Sequence, residues 1–198
     1  VPTAAAVYVP GVGGDFAFVL TAATDDGAVF ATLSTPADGY VVSSLLASGT
    51  AVPLGGAQRP AVASAVERSS RRALSFVLLH AAGAASGVGV RVFRSGAWSP
   101  LDTVPLAFVD EDGTPLTLTA DQRTAYALDA FTSPNTASDA VLLAARIGDG
   151  LYVLRWPFVL AAGGAATARR VTQLAAGAHE HSSASPYALV YHPLVTPS

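Results

Sequence analysis

The stretch Leu151–Leu160, L-Y-V-L-R-W-P-F-V-L, is apolar on both faces of an extended chain. Tyr152, Leu154, Trp156 and Phe158 fall on one side, and Leu151, Val153 and Val159 on the other. Side chains of a strand alternate with period two, so a strand with one wet face would alternate apolar and polar residues. This one needs cover on two sides, from the middle of a sandwich or from another chain. A polar knot, Asn135-Thr136-Ala137-Ser138-Asp139, leads into the apolar run Ala140–Ile147, and Gly148-Asp149-Gly150 reverses the chain into the doubly apolar strand. Two such runs around a Gly-containing turn predict a β-hairpin.

The same punctuation runs along the whole chain. Asp15–Ala23 and Ala28–Leu33 flank an Asp26-Gly27 turn, and Tyr40–Leu46, Thr50–Leu54, Ala73–His80, Val88–Phe93 and Leu101–Val109 follow. The acidic turn Asp110-Glu111-Asp112-Gly113 then separates Leu101–Val109 from Leu116–Thr119, Thr124–Ala130, Thr167–Leu174 and Tyr187–Tyr191. This pattern predicts an all-β fold, an antiparallel barrel or sandwich of roughly a dozen short strands with little helix. Ala61–Arg72 is the best helix candidate. The Pro- and Gly-rich residues 1–14 read as a linker, leaving 15–198 as a single β-barrel domain. The chain opens on Val1 and contains no Met, which reads as a segment of a longer protein.

Composition narrows the function classes. Hydrophobic residues make up 51% and charged residues 13%, enough to build a core and too apolar for disorder. Net charge is −3 and the basic residues cluster only at Arg68-Ser69-Ser70-Arg71-Arg72 and Arg169-Arg170, so a phosphate backbone has no surface to neutralise and no nucleic-acid partner is expected. No apolar run reaches bilayer length, so membrane insertion is not expected either. Lys is absent, which excludes a P-loop and removes the usual guard on edge strands.

The motif search finds no catalytic set. Ser86-Gly87 lacks the preceding glycine of a nucleophile elbow. His179-Glu180-His181 offers two imidazoles but sits among serines and reads as a solvated loop. Asp25-Asp26-Gly27 and Asp110–Gly113 have oxygen ligands without calcium-loop spacing and read as acidic turns. No enzyme, metal or cofactor is expected. Trp98 reads as a core or turn plug, whereas Trp156, beside Arg155, is open to core or interface. Weak self-similarity is present: Phe16–Leu20 (F-A-F-V-L), Leu74–Leu78 (L-S-F-V-L) and Ala125–Asp129 (A-Y-A-L-D) are alike, as are Thr50–Leu54 (T-A-V-P-L) and Asp102–Leu106 (D-T-V-P-L). A period near 50 to 60 residues would suit propeller blades, but three and a half blades cannot close a ring, and strands in an Ala/Val-rich chain resemble one another by chance.

Several short motifs, taken in order, resemble the protruding domain of hepatitis E virus-like (hepevirus) capsid proteins. They are D-F-A-F-V-L-T-A-A at Asp15–Ala23, Ser34-Thr35-Pro36 leading through Tyr40-Val41-Val42 to Ala47-Ser48-Gly49, Arg94-Ser95 with Trp98-Ser99, Asp112-Gly113 before Pro115-Leu116-Thr117, and T-x-Y-x-L at Thr124–Leu128. N-T-A-S-D at Asn135–Asp139, with its following hairpin and Gly163-Gly164, is the strongest of them. The stretch 55–89 is longer than the family's, which points to a divergent, avian-type member, and Asn135-Thr136-Ala137 is not a glycosylation sequon. The resemblance implies a homodimeric β-barrel spike on the virion surface that attaches to a host-cell receptor and carries epitopes for neutralising antibodies. The dimer contact would use Tyr152, Trp156, Val171, Leu174 and Tyr187. Receptor and antibody loops would carry Asp25, Asp26, Asp110, Glu111, Asp112, Asn135, Thr136, Ser138 and Asp139. The alternative is a fragment of a cellular β-propeller acting as a lectin or scaffold, which requires four-stranded blades at a preserved period.

Overall fold

The computed structural model describes residues 4–12, 15–24, 27–34, 48–53, 60–67, 70, 72–95, 97–132 and 140–171. Among these the protein is all β, apart from one turn of 3-10 helix at Asp121–Arg123. The strands are β1 (Ala4–Val12), β2 (Asp15–Thr24), β3 (Gly27–Ser34), β4 (Ser48–Pro53), β5 (Val62–Glu67), β6 (Arg72–Ala81), β7 (Ala84–Arg94), β8 (Ala97–Trp98), β9 (Asp102–Val109), β10 (Ala125–Thr132), β11 (Val141–Ile147), β12 (Gly150–Trp156) and β13 (Ala166–Val171).

Strands β1-β2-β3-β4 form one antiparallel sheet in chain order. The others form a larger sheet in the order β10-β11-β12-β13-β9-β7-β6-β5, with the short β8 paired to β7. That sheet is two antiparallel runs, β5-β6-β7-β9 and β10-β11-β12-β13, joined where β13 pairs with β9 in parallel. Its two ends approach one another, Thr132 Oγ1 donating to the carbonyl of Val66 at 2.7 Å, so the large sheet is a nearly closed barrel. The parallel joint departs from the all-antiparallel expectation.

The described strands, apart from the short β8, therefore form three consecutive four-stranded meanders. Their first strands begin at Ala4, Val62 and Ala125, their second at Asp15, Arg72 and Val141, their third at Gly27, Ala84 and Gly150, and their fourth at Ser48, Asp102 and Ala166. Two of the sequence likenesses fall on equivalent strands. Phe16–Leu20 and Leu74–Leu78 both lie in second strands, and Thr50–Pro53 and Asp102–Leu106 both belong to fourth strands. Ala125–Asp129 does not match, because it begins a first strand.

Each meander packs on the next through alternate residues. Leu74, Phe76 and Leu78 of β6 with Val88 and Val90 of β7 face Leu128, Val141, Leu143, Ala145, Tyr152 and Leu154 across the barrel interior. The opposite face of β5 and β6 presents Val62 and Val77 to Ala23, Ala28 and Phe30 of the first sheet, while Ala73 meets Val19. Strand β6 is thus buried on both sides, and each fully buried Leu, Phe or Val contributes about 1.5–3 kcal/mol. Polar residues on this interface pair with one another: Thr21 Oγ1 donates to Ser75 Oγ at 2.6 Å and lies 3.1 Å from Ser64 Oγ.

Three expectations are corrected. Ala61–Arg72 is no helix: Val62–Glu67 is β5, paired with β6 from Val62↔Val77 to Glu67↔Arg72. Its small residues let two sheets approach from both sides, and the Glu67 carboxylate accepts from Arg72 beside the turn. Residues 1–14 are not merely a linker, since Ala4–Val12 adds a strand to β2. Leu116–Thr119 is extended but makes no ladder beyond a Val109↔Pro115 bridge and a Leu116 N–H bond to the Phe108 carbonyl. The Gly148-Asp149-Gly150 reversal joins paired strands, and β2 and β3 on either side of the Asp25-Asp26 pair, which lies outside the described residues, are paired as well. Tyr40–Leu46 and Tyr187–Tyr191 lie outside the described residues.

Candidate functional site

Strand direction sorts the loops. The β6–β7 turn at Ala82-Gly83, the β11–β12 turn at Gly148-Asp149 and the β9–β10 connection at 110–124 all lie at one end of the barrel. Arg123 ties two of these together, its Nη1 reaching the Ala85 carbonyl at 3.5 Å, and the Gly148 N–H donates to the Thr124 carbonyl at 2.6 Å. This end exposes Glu111, Asp112, Asp121 and Asp149. The acidic turn is built from within: Asp110 Oδ1 accepts from the N–H groups of Asp112 at 3.0 Å and Thr114 at 2.8 Å, and Gly113 takes φ +93°. Arg169 Nη1 clamps the turn from β13 by donating to the Glu111 carbonyl at 2.6 Å. Asp110 therefore shapes the turn, while Glu111 and Asp112 face solvent. Asp121 and Asp149 escaped the sequence reading because nothing local marks them as neighbours of Glu111; only the ladder brings them to one end.

The opposite end carries a different surface. The connection from β12 to β13 folds into a tight hairpin: the Thr167 N–H donates to Val159 O at 2.9 Å and the Ala161 N–H to Ala165 O at 2.8 Å. Val159 and Leu160, each 57% exposed, are the large exposed hydrophobic residues among those described. The Trp156–Pro157 peptide that leads into this hairpin is cis.

The residues expected at a dimer contact scatter. Tyr152 is 2% exposed, its ring 5.2 Å from that of Phe108 inside the barrel. Burial raises its phenol pKa; Arg170 opposes the shift and Asp149 adds to it. Trp156 also turns inward, 6.0 Å from Phe76 and 5.0 Å from Phe158 by ring centroids, with interplanar angles of 67° and 88°. Val171 is half-buried at the end of β13. Leu174, Tyr187, Asp25, Asp26, Asn135, Thr136, Ser138 and Asp139 lie outside the described residues, as do the histidines of His179-Glu180-His181.

One buried cation was not anticipated. Arg91 is 8% exposed between the first sheet and β7, its guanidinium carbon 5.0 Å from the Phe30 ring centre and 5.4 Å from that of Trp98. Nε donates to the Ser99 carbonyl at 2.8 Å, and buried Nη1 has no hydrogen-bond partner. Burial lowers its pKa. Two ring faces supply part of the stabilisation that a carboxylate would give. The alternation Val88, Val90, Val92 was its only signal, since it puts Arg91 on the other, inter-sheet face. Among the described residues no three His, Asp or Glu side chains gather to hold a metal ion. No protein-family model, curated protein or solved structure matches the chain.

Proposed function

We propose that this chain is a run of β-propeller-type blades serving as a non-catalytic interaction scaffold, with the acidic loop end as its recognition face. One observation carries the proposal: among the described residues three successive four-stranded meanders recur about every 60 residues, the first packed by its face on the second, while the second and third share one nearly closed sheet. A stack of this kind is rigid through its sheets and variable at its loops, which suits recognition more than chemistry. Glu111, Asp112, Asp121 and Asp149, set beside Arg123, Arg146, Arg169 and Arg170 at the same end, offer exposed carboxylates to basic polypeptide segments. Fluorescence anisotropy with a labelled Arg/Lys-rich peptide and an acidic control tests it. Preference for the basic peptide, weakened by 0.5 M salt and by E111Q/D112N/D121N/D149N but not by V159S/L160S, is the expected outcome. Equal binding of both peptides, or binding indifferent to the quadruple substitution, would refute the recognition face.

The second reading is the capsid protruding domain that the sequence resembles. A nearly closed β-barrel and an exposed acidic turn at Glu111-Asp112 favour it. Burial of Tyr152 leaves Val159 and Leu160 as better candidates for its dimer contact. Sedimentation at micromolar concentration separates the readings: a dimer dissociated by V159D/L160D supports the spike, and a monomer counts against it.

A further inference from the structure

Two hydrogen-bond donors meet between the first sheet and β7 with no acceptor for either among the described residues: Arg91 Nη1 and Trp98 Nε1, both buried. They are neighbours. The guanidinium carbon lies 5.4 Å from the Trp98 ring centre and 5.0 Å from that of Phe30. Those two rings are 5.7 Å apart, and Phe93 stands 5.3 Å from Trp98, so the donors are set among aromatic carbon.

The turn from β7 into β8 holds this arrangement in place. Phe93 pairs with Trp98 where the chain folds back on itself. The next residue is bonded twice to Val92: the Ser99 N–H donates to Val92 O at 2.8 Å, and the Val92 N–H donates to Ser99 Oγ at 2.9 Å. The Ser99 carbonyl then accepts from Arg91 Nε at 2.8 Å. One side of the guanidinium is thereby fixed to the backbone while Nη1 stays unused.

Charge sharpens the mismatch. A guanidinium keeps its proton inside a protein, and a buried charge is costly unless it is paired. Among the described residues no carboxylate reaches Arg91, in contrast to Arg72, which pairs with Glu67. The ring contacts offset part of the cost but supply no oxygen to either N–H group. Both groups donate, so what satisfies them is an acceptor, and the positive charge makes an anion the better one. Donors on two different side chains suit an anion with two oxygens. Arg91 is 8% exposed, whereas Trp98 is half-buried with exposed Ala97 and Pro100 beside it, so a ligand has a short way in but must be small.

We infer that Arg91 and Trp98 form a binding site for a small carboxylate, one oxygen accepting from Arg91 Nη1 and the other from the indole N–H. The site lies toward the far end of β7 from the β6–β7 turn, away from the acidic loop end, and takes a ligand of the opposite charge.

The chain has two tryptophans, so W156F leaves Trp98 as the one indole reporter. Sodium acetate should change the emission of W156F along a saturable curve, half-saturating at least about tenfold lower in concentration than sodium chloride. R91M/W156F should lose that curve. Emission that follows ionic strength alike for both salts, or a saturable response that survives R91M, would overturn the site. Should W156F misfold, urea unfolding of the wild type decides instead, because a ligand that binds only the folded chain stabilises it. Acetate should raise the midpoint more than equal chloride does, and R91M and W98F, which keeps a ring but not the N–H, should each lose most of that difference. Equal gains in wild type and R91M would refute the inference.

Discussion

At the scale of single residues, Arg91 shows how this protein tolerates a buried charge. Its guanidinium lies against the rings of Phe30 and Trp98 with one bond to Ser99 O and an unpartnered Nη1. Replacing a buried charge by an apolar chain of similar length is often neutral, because desolvation cost and lost attraction offset each other. Arg91→Met should therefore stay within about 1 kcal/mol of the wild type, whereas Arg91→Ala should lose about 2–4 kcal/mol through the gap left between two rings. Urea unfolding of the two variants checks the ordering.

His80 gives a pH prediction. Burial lowers its pKa below 6.5, and its Nε2 is buried without a partner. The unfolded chain takes up a proton near pH 6.5 that the folded one resists, so this residue makes stability fall as pH drops from above 6.5 toward the folded pKa. The change in urea midpoint between pH 7.5 and 5.5 should shrink in His80→Gln. An unchanged profile would show that other groups carry the dependence.

At the scale of elements, turns were legible and two strands, Ala4–Val12 and Val62–Glu67, were not. Asp26-Gly27 and Gly148-Asp149-Gly150 announce reversals because glycine reaches positive φ at little cost. Gly148 has φ +59°, and a β-carbon there would run into the carbonyl of Gln122. Gly163, at φ +84°, has nothing within 4 Å of that position. Gly148→Ala should cost well over about 1 kcal/mol and Gly163→Ala about 1 kcal/mol, measurable as a difference in thermal midpoint. Val62–Glu67 misled because an Ala-rich run with Glu and Arg reads as helix; pairing with β6 and burial on both faces override that local preference. Among the site residues, Glu111 and Asp112 were legible as a turn tip. Asp121, Asp149 and Arg91 were not, because their neighbours come from strands far away in sequence.

At the scale of the whole molecule, the stacking of sheets is the feature from which the rest follows. The Thr21–Ser64–Ser75 hydroxyl cluster sits where the first sheet meets the second. Removing one member strands the others without water, so Ser75→Ala should cost about 1–3 kcal/mol, while T21V/S64A/S75A together should come out closer to neutral. Chemical unfolding of the single and triple variants measures the difference, and an additive loss would mean the hydroxyls pair independently.

The chain's pattern alone determined that this protein is built of short strands, and that Leu151–Trp156 had to be covered on both faces, since period-two alternation and turn chemistry are local properties. Tertiary structure decided what covers them. Tyr152, Leu154 and Trp156 turn to the chain's own second meander, and Leu151 and Val153 lie half-buried on the opposite face. No local rule could supply that, because which apolar face meets which depends on how strands far apart in the chain come together.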